Sequence, residues 1–223
     1  WLPAEQLLEV QSSLDAAHDC RNYLAERTQW PLLSALTAGL QPCKGLRREL
    51  GESLGPRGEI LDSASFELGD LRYQLRRLRE RIRKTLEELL LSDRYEGVFQ
   101  DRLVTERNGR YVVPVKADHR GRLKGFVHDE SSSGQTLFVE PTSVLDKNNE
   151  LQSLQRAEQR ELERILRRLA DGVRRHSEAL RDNQRILARL DLRAAAARFA
   201  LLSEGAAPQL VDKPLIELKA ARH

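Results

Sequence analysis

A chain of 223 residues with 40% hydrophobic, 32% charged and only 5% aromatic side chains is too polar for a thick globular core and reads as long helices with solvated faces. Its net charge of +3 does not by itself establish a nucleic-acid partner. No run of about 18 apolar residues and no signal peptide is present, so no membrane partner is expected and the chain reads as soluble and cytoplasmic.

In chain order, Pro3–Arg27 carries Leu7, Leu8, Val10, Leu14, Ala17 and Leu24 at helical spacing. Trp30-Pro31 interrupts it. Pro31 suits the first turn of a second helix running to Ala38, Gly39 ends that helix, and Lys44–Leu50 makes another. The stretch GESLGPRGEILDSAS, residues 51–65, is rich in Gly, Ser and Pro signals and reads as loop with at most a brief strand. Residues 1–64 are therefore a helical core part. Cys20 and Cys43 match no metal or redox spacing and are expected as buried free thiols. With its start at Trp1 and no Met, the chain is expected to be a piece of something longer.

Residues 65–92 form a first lever arm, with Ser65 as its N-cap and Glu67 in the first turn. Leu68, Leu71, Leu75, Leu78, Ile82, Thr85 and Leu89 step by three and four, which is a coiled-coil seam. Arg72, Arg76, Arg77, Arg79, Arg81, Arg83 and Lys84 crowd the remaining positions and read as a solvated face.

Residues 93–141 break this pattern with a β-like island. Asn108-Gly109 is the strongest short hairpin signal and joins Val98–Thr105 to Arg110–Lys116. Strands at Lys124–Asp129 and Gln135–Glu140 follow, about a Ser133–Gly134 turn, and Pro114 predicts an edge position or a bulge. Between Arg94 and Lys124 eight basic residues stand against four acidic ones, a local +4 that exceeds the charge of the whole chain. Three of those cations share the turn Arg120-Gly121-Arg122-Leu123-Lys124, where glycine lets the backbone come close to a ligand. Arg107, Arg110, Lys116, Arg120, Arg122 and Lys124 are the candidate nucleic-acid-binding residues, reading phosphate and not base sequence.

Residues 142–205 form a second arm returning to the core, with Thr142 as its expected cap. Its apolar series runs Leu162, Leu166, Leu169, Val173, Leu180, Leu187, Leu190, Ala194, Ala197 and Leu201. His176 and Asn183 take the polar steps and suit register-fixing roles, while Asp171-Gly172 is a candidate break. Ala194–Ala197 with Phe199 would let this helix pack closely against the opening bundle. After Pro208 the chain loosens, and Pro214–Lys219 reads as a strand starting something new.

Little in the chain supports catalysis. Asp118-His119 and His128-Asp129 have no second cluster at ligand spacing, so no metal or acid–base site is expected. Ser131–Ser133 reads as a hairpin turn and not as a nucleophile. No G-x-x-x-x-G-K-[ST] occurs, so no ATP hydrolysis is expected from this chain.

The run TERNGRYVVPVKADHRGRLKGFVHDESSSGQTLFVEP, with the NNEL helix after it, resembles the MutS superfamily. More narrowly it resembles the bacterial MutS-two subfamily of recombination-suppressing, MutS-related endonucleases. SSSG-x-TLF-x-EP is the most specific part, and DSAS before the first arm and the closing LKAARH are also similar. The resemblance implies a mainly α fold with a small β insertion. A helical core bundle and a long antiparallel coiled-coil lever would carry a roughly four-stranded β clamp that touches nucleic acid. Residues 206–223 would be the lead-in to an ATPase domain. The parent of such a family is a homodimer using ATP and Mg, with a C-terminal nuclease domain; this piece would hold no cofactor and catalyse nothing. Leu190-Asp191-Leu192-Arg193 superficially matches a motif of that nuclease domain, but Leu190 simply continues the helical seam. The implied partner is branched or duplex DNA. The subfamily's link to collided ribosomes makes a ribosome or rRNA partner the alternative, and a purely structural dimerisation coiled coil is a third reading.

Overall fold

The computed structural model describes residues 2–27, 29–205, 211, 212, 214, 216 and 217. Half of the strand expected at Pro214–Lys219 and most of the lead-in around it fall outside these residues. The fold is mainly helical with one small sheet. Its elements are α1 (Ala4–Ala25), α2 (Pro31–Thr37), α3 (Lys44–Ser53), α4 (Phe66–Leu90), β1 (Thr105–Arg107), β2 (Arg110–Lys116), β3 (Gly125–Glu130), β4 (Thr136–Pro141), α5 (Leu145–Arg175) and α6 (Ser177–Leu202). The chain divides into two compact units, Trp1–Ser12 with Lys44–His176 and Ser13–Cys43 with Ser177–His223. Among the described residues no helix is long and apolar enough to cross a membrane.

In the first unit α4 and α5 run antiparallel. Ser65 meets Glu161, Arg72 meets Glu158, and Thr85 meets Lys147, so partners descend along one helix as they rise along the other. Ser65 is the N-cap its sequence suggests: its hydroxyl accepts the Leu68 N–H at 3.0 Å while donating to Glu161 at 2.6 Å. Leu68, Leu75, Leu78 and Ile82 are buried as the seam predicts, but the next buried residues are Leu86 and Leu90, not Thr85 and Leu89. The shift has a physical cause. Leu78, Ile82, Leu86 and Leu90 share a core with Val113, Val115, Leu137 and Val139 of the sheet. A helix lying on a sheet keeps its 3.6-residue period and does not supercoil, so its buried face drifts off the seven-residue repeat.

Glu161 is buried between the arms, and both nitrogens of the Arg164 fork reach it at 2.6 Å. The Arg164 guanidinium holds its carboxyl below the usual carboxylate range against the opposing effect of burial, with the Ser65 hydroxyl assisting. A carboxylate with a depressed folded value contributes stability above its unfolded pKa and loses it as pH falls through the folded one. The Glu161→Gln variant should therefore show a flatter acid limb in urea stability measured against pH. Parallel limbs for the two proteins would rule Glu161 out as the responsible group.

The sheet has strand order β1-β2-β4-β3, every pairing antiparallel. Asn108 and Gly109 both take positive φ, 52° and 72°, as a two-residue turn matched to strand twist requires. The strand expected at Val98–Thr105 reduces to β1 and an isolated Phe99–Val115 bridge. Pro114 is not on an edge strand, since β2 lies between β1 and β4. It is tolerated because β1 ends before reaching it: on that side its carbonyl accepts from Gln100 N–H at 2.9 Å, and its missing N–H interrupts no ladder.

Thr142 does not cap α5. Its N–H pairs with the Lys124 carbonyl at 3.1 Å, and a short 3-10 turn over Thr142–Val144 follows before the helix begins. Nor does Gly172 break it. α5 continues to Arg175, and a Cβ at Gly172 would stand 3.1 Å from Leu46 Cδ1, so the glycine leaves room for α3. The helix ends at His176, whose Nδ1 lies 2.9 Å from the Gly172 carbonyl.

In the second unit buried Asn183 on α6 clasps one backbone position from both sides, accepting from Gln41 N–H and donating to Gln41 C=O, each at 2.7 Å. Cys20 and Cys43 are free thiols, half-buried and not fully enclosed; burial pushes the Cys43 thiol up. Ala194–Ala197 and Phe199 stand exposed, contrary to the close packing expected of them.

Candidate nucleic-acid interface

The six cations singled out by sequence divide into two groups. Arg120, Arg122 and Lys124 are exposed on the Ala117–Lys124 segment between β2 and β3, and Lys116 stands half-buried at its entrance. Leu123, 6% exposed, anchors that segment in the core, so its neighbours are turned outward. The one acid there, Asp118, sits 3.0 Å from His119, whose ring holds the carboxyl below its usual range. Among the described residues Arg120, Arg122 and Lys124 have no ion-pair partner. Exposed cations that no ion pair engages are chemically able to meet an anion.

Arg107 and Arg110 are engaged by neighbouring side chains. The Arg107 guanidinium lies 4.1 Å from the centre of the Phe138 ring and its Nε is 3.1 Å from Asp129. Arg110 donates to Glu140 at 2.7 Å and to Asn149 at 2.7 Å. The residue that organises this end of the sheet is Glu140, whose side chain is only 1% exposed. Its Oε1 accepts from Arg110 and from Asn148 Nδ2, each at 2.7 Å, and its Oε2 meets His128 Nε2 at 2.6 Å. Asn148, fully buried near the start of α5, also accepts from the Tyr111 N–H at 3.2 Å and donates to the Tyr111 carbonyl at 3.0 Å. One carboxylate thus joins β2, β3, β4 and α5. Sequence reading passed over it, because its partners lie 8, 12 and 30 positions away. The available signal was an acid on the otherwise apolar TLFVEP strand.

His128 serves Glu140 and Asp129 serves Arg107, so these neighbours point to different partners. Ser131 accepts from the Thr136 N–H at 3.0 Å and shapes the hairpin turn. On α4, Arg72 and Arg76 reach Asp62, Arg77 donates to the Tyr73 hydroxyl, and Arg83 lies over the Tyr111 ring.

No family model matches the chain. Curated proteins named Endonuclease MutS2 do match it from end to end. That of Pelotomaculum thermopropionicum is 38% identical over 223 residues, all of this chain and 28% of the relative. That of Halothermothrix orenii is 34% identical over 231 residues, covering 29% of its length, and that of a Geobacillus species is 36% identical over 226 residues, again 29%. The chain therefore spans less than a third of the length of these relatives.

Proposed function

This chain is a MutS2 relative along its whole length, and on that premise we propose that its sheet is a clamp, carried on the α4–α5 lever, that grips DNA through the phosphate backbone. The observation that supports this reading best is the outward-turned, unpaired trio Arg120, Arg122 and Lys124 on a segment anchored by buried Leu123. Phosphate contact from such a segment positions a protein on DNA without reading sequence. The rigid mounting supplied by Glu140 and Asn148 would transmit a pull on the sheet to α5 without loss. On this reading ATP turnover with Mg, cutting and dimerisation belong to the parts of the longer proteins outside this segment. Its own share in suppressing recombination is to hold branched DNA.

The test is a fluorescence anisotropy titration of labelled duplex and four-way junction over a series of salt concentrations, with ribosomal particles in parallel. Log affinity for DNA should fall linearly with log salt with a slope of about −3, one unit of roughly −0.9 for each phosphate neutralised. Tight binding to ribosomal particles with none to DNA would move the partner to RNA. Absence of binding to all of them at low salt would overturn the clamp reading.

A further inference from the structure

We propose that the sheet face opposite the core residues Leu137 and Val139 carries a stacking site for an unpaired nucleobase, centred on Phe126. The inference rests on the phosphate-gripping reading above and adds the class of nucleic acid that fills the site: DNA with a single-stranded stretch. Phe126 is 55% exposed on β3, the edge strand. Leu123 is in the core, and Lys124 already pairs with Thr142 as an extension of the strand, so the alternation of side chains sends Lys124 and Phe126 to the opposite face. Two strand residues apart, they stand about 7 Å from one another. A phosphate held by Lys124 therefore brings its own base, or the next, over the Phe126 ring.

A second flat surface lies on the same face. Phe126 pairs with Glu140 and Phe138 is two residues along β4, so both rings point the same way. Phe138 is covered by the Arg107 guanidinium, which Asp129 holds from the side. A guanidinium over an aromatic ring is itself a planar group on which a base can stack. The strand beneath is fixed. A Cβ at Gly125 would stand 2.3 Å from the Glu140 carbonyl oxygen, so β3 is pressed against β4, and His128 is tied to the Glu140 carboxylate. A surface so held loses little freedom when it binds.

The occupant follows from area and charge. Specific protein partners cover about 800 Å² on each side. Here the exposed apolar side chains on the strand are Phe126 and Val127 alone, with Arg122 and Lys124 before them and the acids Asp129, paired with Arg107, and Glu130 after them. One bare ring beside phosphate-binding groups matches one base. In intact duplex the bases are stacked on each other and present no free face, so the site takes bases that are unpaired.

Affinities of the wild type, Phe126→Ala and Phe126→Trp for blunt duplex and for the same duplex with a single-stranded tail test this, with a check that each variant melts as the wild type does. Phe126→Ala should weaken tailed DNA about tenfold and leave blunt duplex within about twofold. Phe126→Trp should retain tailed binding, and its added indole emission should be quenched by the tail and not by duplex. Equal losses on both DNAs, or no loss, would overturn the stacking site. Charge reversal of Arg120, Arg122 and Lys124 separates the two readings: it weakens binding to both DNAs alike and flattens their salt dependence if the phosphate grip is right, whatever Phe126 does.

Discussion

Glu140→Ala is expected to destabilise the unit that carries the sheet by about 3–5 kcal/mol, the largest effect anticipated for any single substitution here. The carboxylate is 1% exposed and its guanidinium partner Arg110 is 18% exposed, so neither is well hydrated. Removing the acid leaves the largely buried Arg110 charge without its counter-ion, with only neutral amide oxygens, that of Asn149 among them, still bonded to it. It also takes one of two acceptors from Asn148 Nδ2, and a buried charge left uncompensated costs far more than its bond contributed. Glu140→Gln keeps an acceptor in place but loses the charge, and should cost roughly half as much. Urea denaturation of the three proteins should rank them wild type, Gln, Ala. An alanine variant within about 1 kcal/mol of the wild type would mean that the network only decorates the sheet. Arg110→Gln should likewise lower stability and leave the salt dependence of DNA binding unchanged, because this arginine faces Glu140 and Asn149.

The second large effect concerns binding. Reversal of Arg120, Arg122 and Lys124 to Glu should weaken all DNA sequences alike and flatten the slope of log affinity against log salt by about 2 to 3 units, since each lost phosphate contact removes roughly 0.9. Their exposure predicts little effect on folding, which thermal melting would verify. Reversal of Arg76, Arg77 and Lys84 on α4 should do much less; Arg76 already faces Asp62 and Arg77 already bonds Tyr73. If the α4 variant lost binding and the turn variant kept it, the lever and not the sheet would be the gripping element.

Local chemistry made much of this architecture legible from the residues. Asn108-Gly109 specifies its hairpin turn because both positions need positive φ. Ser65 specifies the start of α4 because its hydroxyl is within reach of an N–H three residues on. The apolar steps from Leu68 to Ile82 specify the buried face of a helix, and the charge excess between Arg94 and Lys124 is legible as a count of residues.

Tertiary structure alone decided what depends on partners distant in the chain. The strand order put β2 in the interior of the sheet, yet Pro114 survives there because β1 stops short of it. Gly172 looks like a helix breaker and is instead a point of close approach to Leu46, and Thr142 looks like a cap while its N–H is taken by β3's extension. Among the six cations, sequence determined charge and position, but whether each charge is available depends on which acid folds beside it. Glu140 and Asp129 engage Arg110 and Arg107 across strand pairings, whereas no ion pair engages Arg120, Arg122 or Lys124 among the described residues. An ion pair is a property of distance in space, and these separations are set only when the sheet and α5 come together.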